Sequence, residues 1–208
     1  MRERLVLVST MVILTVMLLL TLNPLFLMFY TSFKPTGTLF QRVSDVLVAD
    51  FEIGEQNSIG GPFVAEALGN SKIQVAFQPP QPEVNRNRVM VIQYEKADGP
   101  VRWATRIGQD MRKFAALEFQ VRGEAGGESF TVELVDLKGR RASLGIQEML
   151  RGGLTNQWET VRIPMDDFHL GILSPGVSER IAEELSFSFN EGSGTVYLDN
   201  VRLIFRNW

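Results

Sequence analysis

Between Leu5 and Phe33 the chain carries no charged residue, and this run constrains the fold more than any other feature of the 208 residues. At about 1.5 Å of rise per residue a helix of this length exceeds the roughly 30 Å of a bilayer's hydrocarbon core. Residues 1–33 are therefore expected to form one N-terminal transmembrane α-helix, with Pro24, after Asn23, as its kink. A cleaved secretory signal needs an apolar core of roughly 7–15 residues followed by small residues. The exit here is Leu27-Met28-Phe29-Tyr30, which is bulky throughout, so the segment reads as a retained anchor. Thr15, Thr21, Asn23 and Pro24 mark where this helix is expected to pack on neighbouring membrane helices, because polar groups are more comfortable there than in lipid.

Arg2 and Arg4 precede the run, and only Lys34 follows it before Arg42. The positive-inside rule then keeps the N-terminus in the cytoplasm and puts the rest in a periplasmic or extracellular space. A bacterial-type inner membrane is the expected location. Cysteine is absent, which excludes disulfide frameworks, thiol nucleophiles and Cys-based metal centres. The net charge of −3 is scattered along the chain, without the basic stripe that a nucleic-acid partner requires.

Residues 34–45 form a short polar linker, and residues 46–208 read as one β-domain. Runs rich in Val, Ile, Phe and Thr alternate with Gly, Pro, Asn and Asp turns. Strands are expected around Val46–Phe51, Ile73–Phe77, Val89–Tyr94, Val101–Thr105 and Ala116–Arg122. Five more are expected at Ser129–Asp136, Arg141–Ile146, Glu159–Ile163, Glu184–Phe189 and Thr195–Phe205. One helix is expected over Val177–Glu184, where Ile181 and Leu185 stand four residues apart. No βαβ rhythm is present, so the fold class is all-β, an antiparallel two-sheet sandwich or jelly roll.

Specific runs carry a resemblance. Asp50-Phe51-Glu52, Gly60-Gly61-Pro62-Phe63 and Lys113-Phe114-Ala115-Ala116-Leu117-Glu118-Phe119-Gln120-Val121-Arg122-Gly123 come first. Phe130 to Asp136, Trp158 to Phe168 and Val196 to Leu203 follow in the same order. Together they resemble the galactose-binding-like jelly roll of carbohydrate-binding modules, and more distantly the complex I intermediate-associated family. In addition, the segment from Leu22 to Pro35 resembles the first membrane helix and exit of carbohydrate ABC-transporter permeases. One span builds no transport pathway, so that likeness implies no transport.

Sugar rings stack on exposed aromatic faces. Tyr94 and Trp103 are the candidate ligand aromatics, each with a packed alternative. Trp158 is expected in the core, Tyr197 alternates with Leu198 on the last strand, and Trp208 ends the chain. The resemblance implies a structural calcium ion where the first and last strands meet, held by Asp50, Glu52 and Asp199. The plainer reading makes Asp50 and Glu52 a strand's solvent face and Asp199 a turn cap. His169 is the sole histidine, beside Asp166 and Asp167 that read as turn residues, so no catalytic centre or other cofactor is expected.

Two functions compete. The favoured expectation is a non-catalytic, single-pass accessory subunit whose outer domain braces a larger membrane protein complex, with lipid and other membrane subunits as partners. The alternative is a membrane-tethered carbohydrate-binding module that recognises cell-wall or imported glycans.

Overall fold

Alternating burial along strand-length runs accounts for nearly every element of the computed structural model, which describes residues 45–52, 56–78, 88–168 and 181–206. The strands are β1 (Val46–Ala49), β2 (Phe63–Ala67), β3 (Lys72–Gln78), β4 (Val89–Glu95), β5 (Val101–Asp110) and β6 (Phe114–Gly123). They continue with β7 (Thr131–Val135), β8 (Arg141–Gly145), β9 (Glu159–Pro164), β10 (Ile181–Phe189) and β11 (Ser193–Phe205). A four-residue helix, α1 (Ile146–Met149), follows β8, and single 3-10 turns lie at Met111–Lys113 and Met165–Asp167. The expected anchor with Thr15, Thr21, Asn23 and Pro24, most of the linker, His169 and Trp208 all lie outside the described residues. Among the described residues no helix is long and apolar enough to cross a membrane.

Two antiparallel sheets face each other. One runs β3-β4-β11-β6-β9, with β1 also paired to β11; the other runs β2-β5-β10-β7-β8. Each strand of β5, β6, β10 and β11 sends every second side chain into the space between the sheets, the period-2 geometry of a pleated strand. Leu117, Phe119 and Val121 meet Leu185, Phe187 and Phe189 there, all 1% exposed or less. Rings dominate this core. Phe187 lies 5.4 Å from Phe119, 5.5 Å from Phe130 and 5.5 Å from Trp103, at tilted or edge-on angles that aromatic quadrupoles favour.

The two-sheet, all-β expectation holds, and two local expectations are corrected. The strand β2 was not expected, because Phe-Val-Ala-Glu-Ala offers one large apolar residue and three of its five positions are exposed. The helix expected over Val177–Glu184 is replaced, from Ile181 on, by the start of β10. A bulge between Ala182 and Glu184 shifts the pairing register with β5. The shift offsets the alternation by one residue and imitates an i,i+4 pair, but Ile181 is 43% exposed while Leu185 is fully buried.

Candidate functional site

The pleat that fills the core also determines what each sheet shows to solvent. On β11, Val196 and Leu198 are buried, so Tyr197 between them faces outward. Register aligns it with Arg122 of β6 on one side and Val91 of β4 on the other, and Val91 with Ala76 of β3. Trp158, just ahead of β9, completes this stripe. The Arg122 guanidinium carbon sits 3.7 Å from the Tyr197 ring centroid and 5.6 Å from that of Trp158. Planar guanidinium between two rings is a cation–π arrangement that holds all three groups in place. Across five strands at about 4.8 Å spacing the stripe is roughly 19 Å long.

Polar rows flank the stripe. On one side Thr195 pairs with Gln93, and Gln93 with Gln74. On the other, Asp199 pairs with Gln120, and Gln120 with Thr160. The side chains of Gln74, Gln93 and Thr160 make no hydrogen bond among the described residues, so their donors and acceptors are open to a ligand. Gln120 accepts from Asn200 Nδ2 at 3.3 Å. A further row places Glu118 between Arg162 and Arg202, at 3.9 and 3.8 Å. At the opposite end the Tyr197 hydroxyl donates to the Glu124 carboxylate. That bond, with partial burial, pushes the Tyr197 pKa up.

The other sheet presents a different surface. Arg102 is already paired with Glu66 and Glu184, each at 2.8 Å. Glu133 already accepts from Arg141 at 2.7 Å, Ser188 at 3.0 Å and Ser186 at 3.2 Å. Ala104 and Ser186 at its centre are almost fully covered. With its charges satisfied internally and no outward aromatic ring among the described residues, this face offers a ligand little. The six-stranded sheet's outer face is the candidate site.

The sequence-expected aromatics are elsewhere. Trp103 is fully buried against Phe63 (5.2 Å) and Phe187, so its ring has no face left for a sugar. Tyr94 alternates with Ile92 and points inward, stacked 4.2 Å from Phe189. Burial raises its pKa. Its edge reaches an open pocket of about 470 Å³ at the sandwich end, beside Glu124, Glu128 and Glu191. The residues that form the stripe, Trp158, Arg122 and Tyr197, were not singled out as ligands. The signal was present, since the apolar neighbours of Tyr197 on β11 force it outward, whereas Trp158 was read as core and is 39% exposed.

The carboxylates expected to hold calcium do not gather. Asp50 accepts from the backbone N–H of Glu52 at 3.2 Å, Glu52 from that of Arg88 at 2.7 Å, and Asp199 from that of Asn200 at 2.7 Å. Among the described residues no three Asp, Glu or His side chains come together as a metal-binding group. These three residues on their own therefore do not fit the hard-oxygen cage that calcium takes.

A two-sheet β-sandwich of this kind is a fold that carbohydrate-binding modules share. The chain belongs to the carbohydrate binding domain 30 family, whose model matches residues 66–205. It is similar in fold to the family 11 carbohydrate-binding module of a cellulosomal cellulase of Clostridium thermocellum, at 17% identity and a TM-score of 0.59. That match covers 79% of this chain and 96% of the other. A structure of the family 11 module from the same organism, in complex with a β-1,3-1,4-mixed-linked tetrasaccharide, matches at 18% identity and a TM-score of 0.56, over 78% and 96%. The β-1,2-glucanase of Parabacteroides distasonis matches at 16% identity and a TM-score of 0.55, over 79% of this chain and 24% of that enzyme. No curated protein matches the chain.

Proposed function

We propose that the chain is a glycan-binding module that lays a polysaccharide across the outer face of its six-stranded sheet, held near a membrane by the apolar segment Leu5–Phe33. The observation that carries the reading is the Trp158–Arg122–Tyr197 stripe with Gln and Thr side chains on both sides. Sugars need both parts: apolar C–H faces for the rings, and amides, hydroxyls and guanidinium for the hydroxyls. Membership of a carbohydrate-binding family supports it, as does the mixed-linked tetrasaccharide bound to a module of the same fold.

This reading displaces the accessory subunit as the favoured function. Membership of a carbohydrate-binding family favours a glycan as the partner.

The test is affinity electrophoresis of the full-length chain through gels containing soluble polysaccharides, with mixed-linked β-glucan included. Retardation by at least one polysaccharide, relieved by Trp158→Ala and Tyr197→Ala, is the expected result. A chain that no polysaccharide retards would overturn the reading.

A further inference from the structure

The charges on the binding face are arranged unequally, and this asymmetry points to a class of ligand. Arg122 occupies the middle of the aromatic stripe, yet among the described residues no carboxylate lies within ion-pair distance of it. By contrast, Arg102 on the opposite sheet has two carboxylates at 2.8 Å. Further along the face, one carboxylate, Glu118, serves two guanidinium groups, Arg162 and Arg202, at the long separations of 3.9 and 3.8 Å. That row keeps an excess positive charge. Asp199, in the row between, is 3% exposed and accepts from the backbone N–H of Asn200. Of the acidic groups Glu124, Glu128 and Glu191, which line the pocket on the sheet's end, Glu124 also accepts from the Tyr197 hydroxyl of the stripe.

We propose that the glycan bound here is anionic, a polysaccharide whose rings carry carboxylates, and that Arg122 is the residue that selects for them. The proposal rests on the glycan-binding reading above and adds the ligand's charge to it. A guanidinium clamped between two rings keeps its planar fork at the sheet surface, and such a fork matches a carboxylate's two oxygens. In a neutral glycan the same group would find only hydroxyls, which return less for removing a charge from water. Four residues of β6 separate Arg122 from Glu118, about 13 Å along the strand. A polymer lying along the stripe therefore meets Arg122 directly, with the Arg162–Arg202 row about 13 Å to one side and Gln120 and Thr160 between them.

The experiment compares cello-oligosaccharides with oligomers of the same length oxidised at C6 to uronates, by calorimetry on the full-length chain, beside mixed-linked glucan and sulfated glucan. The uronate series is expected to bind about tenfold tighter than the neutral series. Added salt should narrow that gap, since the contact is partly exposed. In Arg122→Gln the preference should collapse, and in Arg122→Lys it should survive in part, because the charge remains while the fork is lost. Thermal melts matching the wild type would show that both variants fold. Equal or tighter binding of the neutral series overturns the proposal and leaves the glycan-binding reading standing. So does a preference that persists in Arg122→Gln. Sulfated glucan binding as tightly as the uronate would refute carboxylate selection in favour of charge alone. If no member of the panel binds, the proposal is overturned, and the glycan-binding reading is decided by the electrophoresis above.

Discussion

Trp103 and Tyr197 show how one pleat position decides between core and ligand. Trp103 fills the space between the sheets, and its replacement by alanine removes a large ring from a fully enclosed site. Chemical denaturation of Trp103→Ala should report a loss of about 3–5 kcal/mol in unfolding free energy. Tyr197→Ala removes an outward ring and should leave that free energy within about 1 kcal/mol of wild type. Its cost falls on binding instead, about tenfold in Kd for a glycan that stacks on it, read by calorimetry. In the sequence Trp103, between Arg102 and Arg106, reads equally as a ligand platform and as a packed or cation–π ring. Those arginines face outward on the same strand, which is why Trp103 faces in. Counting alternation from the apolar residues of β5 and β11 would have sorted both aromatics, whereas Arg122's position between two rings depends on register across three strands and is not written in any one of them.

Loops and strand ends hold these faces in register. Gly61, in the turn before β2, packs so closely that a Cβ there would sit 2.3 Å from the Arg106 carbonyl oxygen and 2.7 Å from Asn57 Nδ2. Asn57 Nδ2 itself donates to Thr105 at 2.8 Å, which ties this turn to β5. Gly61→Ala should therefore destabilise by about 1–3 kcal/mol, visible as a lowered denaturation midpoint. At the C-terminal end of β5, Asp110 caps the Met111–Lys113 turn and pairs with Arg112 at 2.6 Å. That hydrogen-bonded pair, opposed by some burial, holds the Asp110 carboxyl below the ordinary range, and Asp98 and Asp136 are lowered as well. Carboxylates with depressed folded-state pKa values add stability that is present above the unfolded value of about 3.9 and is lost as pH falls through the folded values. Calorimetric melting temperatures should thus hold level from neutral pH to about pH 5 and drop steeply below pH 4. Asp110→Asn should flatten part of that drop. The strands were legible as apolar alternation, but β2 and the bulged start of β10 were not, since neither keeps the period-2 pattern long enough to stand out.

For the molecule as a whole, the two sheets divide labour by charge and chemistry. The five-stranded sheet closes its ion pairs internally, while the six-stranded sheet leaves amides, hydroxyls and a guanidinium open around an aromatic stripe. All-β class and jelly-roll kinship were legible in the sequence because strand periodicity and the order of motifs survive without coordinates. Which face carries the aromatic stripe was not, because it depends on residues from five strands that meet only in the folded sheet. The most direct test of the account is a map of backbone amide shifts by NMR as the tightest-binding oligosaccharide of the panel is titrated into the protein. The account predicts saturable shifts centred on Gln93, Gln120, Arg122 and Tyr197, with Arg102, Glu133 and Ser186 unmoved. Shifts centred on Arg102, Glu133 and Ser186 instead would contradict it.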